Sequence, residues 1–384
     1  MPGLLPHIDP EGLLEYSVVY TDRSLNHMSK RFQGVMKDIS VLLKEVYHAD
    51  ATVVLPGSGT YGMEAVARQF ATDQSVLIVR NGYFSYRWSQ ILETGRITAP
   101  DRITVLKARP TGAGAQAPWV PAPIVEVEAA IAKTQPAVVF VPHVETASGI
   151  LLPDEYLRRI GAALHRHGGL FVLDCIASGA VWADMRALGV DVLVSAPQKG
   201  WSSAPACAMV GLSARALEAL EKTTSTSFAL DLKKWRQIMA SYESGSHAYY
   251  ATMPTMALLE LRGAMQETRE RGFDAAREQQ FALGRRIRAL LAERGFPSVA
   301  APGFEAPGVV VSYTTDPDIH NGKKFLAQGL QIAAGVPLQC DEPAGFNTFR
   351  LGLFGLDKLG DIEGTVERFR DALDKMGAKK LQTA

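Results

Sequence analysis

The 384-residue chain has little of what would place it in several large classes of protein. Its three cysteines, Cys175, Cys207 and Cys340, are widely spaced. They are too few and too scattered for a disulfide framework or a zinc cluster, which points to a reducing compartment. An excess of charge of one sign is missing too, since 40 Lys and Arg balance 40 Asp and Glu. That balance leaves no electrostatic footprint for nucleic acid or an anionic membrane surface. No uninterrupted apolar run reaches the roughly 18 residues that would suggest a bilayer span. The opening Met1-Pro-Gly-Leu-Leu-Pro-His lacks a basic stretch leading into an apolar one, so no secretory signal is expected. The expectation is a soluble, cytoplasmic protein with no nucleic-acid or membrane partner. A hydrophobic content of 47% is an ordinary globular value, and the length allows a large core.

What is present is an alternation of two periods. Ala51-Thr-Val-Val-Leu55, Val76-Leu-Ile-Val79, Ala137-Val-Val-Phe-Val141, Leu170-Phe-Val-Leu-Asp174 and Val190–Val194 read as strands buried on both faces. Helical spacing links them. Phe32, Val35, Met36, Ile39, Leu43 and Val46 form one stripe after Ser29; Met63, Val66, Ala67 and Phe70 form another. Ile124 to Lys133 is a short helix, and Leu157, Ile160, Gly161 and Leu164 mark one that Gly168-Gly169 stops. Residues 1–28 read as an irregular lead-in and 29–254 as a large domain with a mainly parallel sheet flanked by helices. Residues 255–384 read as junction helices, broken near Gly263 and Gly272, and a smaller C-terminal α/β domain. That part is expected to hold strands at Gly308–Tyr313 and Phe349–Leu353, with helices near 320–330 and 361–377. Residues 213–247 show mixed character.

The polar residues that invite chemistry follow the ends of different strands. Ser58 and Thr60 lie in Pro56-Gly-Ser-Gly-Thr-Tyr-Gly62, Phe84 in Asn81-Gly-Tyr-Phe84, Thr146 in His143-Val-Glu-Thr146, and Asp174 and Lys199 just past their own strands. Singly, each has a bland explanation in a turn or a cap. Ligands of parallel α/β sheets bind at the carboxyl ends of the strands, so together they suggest one site. The turn at 56–62 opens a helix and forms an anion cradle of free backbone N–H groups, to which the two hydroxyls add donors suited to a phosphate monoester. Gly57-x-Gly59-x-x-Gly62 also matches the dinucleotide fingerprint, and the next strand runs into Arg80, which suits an NADP phosphate. An NADP-dependent oxidoreductase is therefore a competing reading. Lys199 with Asp174 is the pair that pyridoxal 5'-phosphate chemistry needs. The amine forms a Schiff base with the cofactor aldehyde, and the carboxylate keeps the pyridine nitrogen protonated.

Gly57-Ser-Gly-Thr-Tyr-Gly-Met-Glu-Ala65, Asn81–Phe84, His143–Thr146, Asp174-Cys-Ile176, Gln198-Lys199, Tyr249-Tyr-Ala-Thr252 and Arg350-Leu-Gly352 occur in this order. The ordered set resembles the class V aminotransferases of PLP fold type I, and within them the alanine/serine–glyoxylate (or pyruvate) branch. The resemblance implies that Lys199 is the Schiff-base lysine and proton shuttle, and that Asp174 pairs with the pyridinium nitrogen. It implies that Phe84 stacks on the ring, Ile176 packs on the opposite face, and Thr146 contacts the ring hydroxyl. Ser58, Gly59, Thr60 and Gln198 would bind the phosphate. Tyr249 and Thr252 would reach the phosphate of a neighbouring subunit, which requires a homodimer with shared active sites. Arg350 would grip the substrate α-carboxylate, a task suited to the guanidinium fork. The substrates would be a small amino acid and a 2-oxo acid.

The chain departs from this pattern at its start, where it has Pro2-Gly-Leu-Leu-Pro6 and Leu25-Asn-His-Met-Ser29, with Met28 where arginine is common in relatives. Ser225–Leu232 and Trp235 are also similar to the 2-aminoethylphosphonate–pyruvate aminotransferases. A cysteine desulfurase would use Cys340 as nucleophile, yet Gln198 and Phe84 stand where those enzymes usually carry histidine. A non-catalytic PLP-binding regulator would need neither Arg350 nor Tyr249.

Overall fold

Seven strands build the main sheet in the computed structural model, which describes residues 8–9 and 11–378. Pro2–Pro6 lies outside the described residues. Across the sheet the strands run Ala51–Pro56, Cys207–Leu212, Val192–Ser195, Leu170–Asp174, Val138–Pro142, Val76–Arg80 and Ile103–Lys107. Cys207–Leu212 is antiparallel to both its neighbours, and the other pairings are parallel. The inner strands are buried along their length, which is why they read as unbroken apolar runs in the sequence.

Register fixes where the strands end. Pro142 and Val194 both lie level with Asp174, and Ile78 lies level with Phe140. Ala51–Pro56 pairs antiparallel to a strand that is itself reversed, so it points the same way as the rest. The segments after residues 56, 80, 142, 174 and 195 therefore all leave from one edge of the sheet.

The first long helix, Lys30–Tyr47, starts where Ser29 Oγ accepts the Phe32 N–H at 3.1 Å, and all six residues of its predicted stripe are buried. Several expectations need correction. The helix after the glycine-rich turn begins at Gly59, four residues before its apolar stripe. Ile103–Lys107 is an edge strand that the apolar pattern did not reveal. Residues 213–247 contain two helices, Ala214–Lys222 and Leu232–Glu243, capped by Ser213 and Asp231. Gly263 lies inside the unbroken helix Thr255–Arg271. The break falls at Gly272, whose φ of 92° separates that helix from Phe273–Glu293. Near 320–330 there are two single turns, Pro317–His320 and Lys323–Leu326.

A second, three-stranded sheet runs Val309–Tyr313, Thr348–Gly352, Ala333–Ala334, all antiparallel. It is tied to the first sheet's flank by specific polar contacts. Trp119 Nε1 donates to Tyr313 Oη at 3.0 Å, and Arg80 Nη1 donates to the Gln339 carbonyl at 3.1 Å. These ties hold Arg350, midway along the central strand of the small sheet, over the edge of the large one. Among the described residues, no helix is long and apolar enough to cross a membrane.

Candidate active site

The Ser58–Thr60 turn opens the helix Gly59–Phe70. Ser58 occupies the N-cap position but makes no side-chain bond to that helix, so its hydroxyl is not committed to capping. The turn is also packed tightly from behind. A Cβ placed on Gly59 would lie 2.6 Å from Ile176 Cδ1 and 3.3 Å from Ala196 Cβ, so only glycine lets the three segments meet. Gly59, Ile176 and the approach to Lys199 are thereby brought together.

Asp174 ends its strand buried, at 8% exposure, and Oδ1 accepts the Ile176 N–H at 3.0 Å. Burial pushes its carboxyl up to about 6, against the opposing pull of that N–H and of Lys199. The Lys199 amine is drawn below its ordinary range, chiefly by burial, with Arg87 and Arg350 acting in the same direction and Asp174 and Glu145 against it. His143, beside Asp174, is buried and pushed down to about 4, so it stays neutral; its Nδ1 lies 2.8 Å from Ser178 Oγ.

Phe84 and Arg350 meet across the two sheets, with the guanidinium carbon 5.3 Å from the ring centroid. Arg350 Nε donates to the Ala334 carbonyl at 2.8 Å. Thr146 is buried next to Glu145 in sequence, and Gln198 is exposed on the turn before Lys199. Tyr249 and Thr252 stand apart. They bond to each other at 3.0 Å on an exposed surface, and no hydrogen bond among the described residues links them to Ser58, Phe84, Asp174 or Lys199.

Two side chains that shape this edge were not singled out from the sequence. Glu145 is fully buried and its carboxylate receives the Phe84, Ser85 and Ala147 N–H groups and the Ser85 hydroxyl, at 3.1, 2.8, 2.9 and 2.6 Å. It thereby caps the helix Tyr83–Thr94 that carries Phe84. Arg87, one turn further on that helix, donates to Thr60 Oγ1 at 3.0 Å. The signal for Arg87 was its spacing of three from Phe84, which puts both on one helical face. Glu145 carried only its place inside the His143–Thr146 motif.

The competing readings lose their key residues. Arg80 is buried, lies 4.6 Å from the Tyr86 ring centroid, and donates to Ser89 Oγ and the Gln339 carbonyl, so it is not presented to a nucleotide phosphate. Cys340 is buried, and burial pushes its thiol up to about 12, which leaves almost no thiolate for sulfur transfer.

Does this edge suit pyridoxal phosphate? A buried, protonation-prone carboxylate with one backbone partner lacks the N–H that a pyridinium would offer it. The Ser58–Thr60 cup, the depressed amine and the aromatic face at Phe84 supply the remaining chemistry, and the residues fit the group. The fold is that of the PLP-dependent aminotransferases of fold type I. The model of the family described as Aminotransferase class-V matches residues 12–349. The chain belongs to the class-V aminotransferases, which are PLP-dependent enzymes. It is 28% identical over 371 residues to alanine–glyoxylate aminotransferase of Callithrix jacchus, covering 93% of this chain and 84% of the relative. It is 28% identical over 363 residues to 2-aminoethylphosphonate–pyruvate transaminase of Salmonella paratyphi B, covering 88% and 89%. The fold is similar to that of alanine–glyoxylate aminotransferase from Nostoc sp., with a TM-score of 0.78 at 22% identity over 92% of this chain and 89% of that one.

Asp174 yields a prediction for the ligand-free protein. Its value is raised on folding, so the stability it contributes is complete below the unfolded carboxylate value near 4 and is lost as pH rises through about 6. Asp174→Asn is therefore expected to stabilise the apoprotein at pH 7.5 by about 1–3 kcal/mol, with the gain shrinking at pH 5. Its cofactor affinity should fall. Urea unfolding of both proteins at the two pH values reads the first effect, and a gain independent of pH would contradict it.

Proposed function

We propose that this enzyme transfers an amino group from a small amino acid, of alanine or serine type, to a 2-oxo acid such as glyoxylate or pyruvate. The observation that carries the reading is the gathering of Lys199, Asp174, Phe84 and Arg350 at one edge of the sheet, beside the Ser58–Thr60 cup. When bound, pyridoxal phosphate supplies an aldehyde and a cationic ring that draws electrons from the Cα–H bond of the amino acid. Lys199 would provide the amine that holds the cofactor and would carry the proton from Cα. Its lowered proton affinity supports a neutral amine within the cycle. Asp174 would keep a proton on the pyridine nitrogen. Phe84 and Ile176 would pack against the ring, Thr146 would contact its hydroxyl, and Ser58, Gly59, Thr60 and Gln198 would hold the phosphate.

Tyr249 and Thr252 complete the phosphate site of a second subunit in this reading. Their exposure, in a region that also exposes Phe228, supports a homodimer with shared sites. Three free, buried thiols support a cytoplasmic setting.

A second donor class stays in view because the two relatives named above are equally similar, and one is a 2-aminoethylphosphonate transaminase. Purified protein offered alanine, serine and 2-aminoethylphosphonate against glyoxylate and pyruvate separates them. Turnover of none of these donors with either acceptor would refute the proposal. Arg350→Ala is expected to raise the KM for the amino acid roughly 10- to 100-fold, the value of a charge-assisted bidentate contact, with a smaller change in kcat. An unchanged KM for every donor would remove Arg350 from the substrate site.

A further inference from the structure

Arg87 has a setting that neither the sequence motifs nor the fold explains. Its side chain is half-buried on the helix Tyr83–Thr94, with Cζ 5.2 Å from the Phe84 ring centroid. Nη1 donates to the Thr60 hydroxyl. Among the described residues no carboxylate lies within ion-pairing distance of it, and Asp174 reaches it only through its longer-range field. A guanidinium has five N–H donors and is held in partly buried surroundings at an energetic penalty unless an anion answers it. A neutral hydroxyl does not. Arg80 shows the contrast, since its guanidinium also lies against an aromatic ring of this helix, Tyr86, but bonds to Gln339 and Ser89 and braces the two sheets.

The position of Arg87 identifies the missing anion. Thr60 sits in the first turn of the helix Gly59–Phe70, where uncommitted N–H groups already favour negative charge. A cation held against that residue adds its field to the same point. We propose that Arg87 is a phosphate ligand, which supplies a full positive charge to a cup otherwise made of neutral donors. This rests on the assignment of the Ser58–Thr60 turn to the phosphate of pyridoxal phosphate. The fork geometry permits two parallel bonds to phosphate oxygens, which a lysine would not reproduce. The Thr60 contact acts as a rest that keeps the fork aimed.

The test compares two ligands that differ only by the phosphate. Apoprotein is titrated with pyridoxal phosphate and with pyridoxal, following tryptophan fluorescence, for wild type, Arg87→Gln and Arg87→Lys. Arg87→Gln should weaken pyridoxal phosphate roughly 10- to 100-fold, the range for a hydrogen-bonded charge, and leave pyridoxal within about twofold. Arg87→Lys should recover part of the loss. Inorganic phosphate should compete with pyridoxal phosphate on wild type and do so more weakly on Arg87→Gln. Equal weakening of both ligands would make Arg87 a structural residue, and an unchanged affinity for pyridoxal phosphate would remove it from the cup. Wild-type protein that takes up neither ligand would overturn the cofactor assignment, and the role of Arg87 with it.

Discussion

Lys199→Ala is expected to lower the rate of amino transfer by about three orders of magnitude or more, because one side chain performs two tasks. A positioned proton carrier contributes roughly 10²- to 10⁴-fold, and the covalent link to the cofactor adds to that. The fold should tolerate the change. Lys199 is half-buried at a proton affinity below its ordinary range, so folding already opposes its charge. Removing the amine leaves Asp174 without one of the cations that pull its value down, so that carboxyl should titrate still higher in the apoprotein. Single-turnover measurements with an amino donor would read the rate. Borohydride treatment of the wild-type holoenzyme followed by peptide mapping should mark Lys199 alone. Exogenous methylamine should restore part of the variant's activity, since a free amine can take the proton. A variant with near-normal turnover, or label on another lysine, would end the assignment.

The parts of the fold that were legible in the sequence are those buried on both faces. Val76–Val79 and Leu170–Asp174 announce themselves because every position is apolar or ends at the site. Ile103–Lys107 did not, because it is a half-buried edge strand interrupted by threonine and closed by lysine. The helix Leu232–Glu243 was missed although its start was marked, as Asp231 accepts the Lys233 and Lys234 N–H groups through its side chain. Gly263 misled in the opposite direction. With open space where its Cβ would be, it costs a helix only about 1 kcal/mol, too little to break one.

The candidate site was legible where its residues follow strand ends and illegible where tertiary contacts supply the logic. The helix Tyr83–Thr94 has glycine at its N-cap and no acid in its first turn, so nothing local marks its start. The acid arrives from Glu145, about sixty positions along the chain, and Arg87 becomes meaningful only once that helix is known to face Thr60.

This makes Glu145→Ala the second large effect to expect. The carboxylate answers three donors at the start of the helix that carries Phe84 and Arg87, and the Ala147 N–H of its own turn. Gly82 is shaped around it, since a Cβ there would lie 2.7 Å from Glu145 Cγ. With alanine at 145, the Phe84, Ser85 and Ala147 N–H groups lose their acceptor and the Ser85 hydroxyl keeps only the Gly82 carbonyl, so water must enter or the turn must reorganise. At about 1–3 kcal/mol per unsatisfied buried group, and with partial relaxation, the loss should be about 3–5 kcal/mol. Glu145→Gln keeps one acceptor oxygen but turns an NH₂ group toward backbone donors, so it should recover only a minor part. Urea unfolding measures this directly. Cofactor affinity should weaken as well, for pyridoxal and pyridoxal phosphate alike, because the ring face and the phosphate side ride on the same helix. That shared loss sets Glu145 apart from Arg87, whose removal should discriminate between the two ligands. A Glu145→Ala protein as stable as wild type would mean that the helix is held by its buried residues Trp88, Ile91 and Leu92 and does not need the carboxylate.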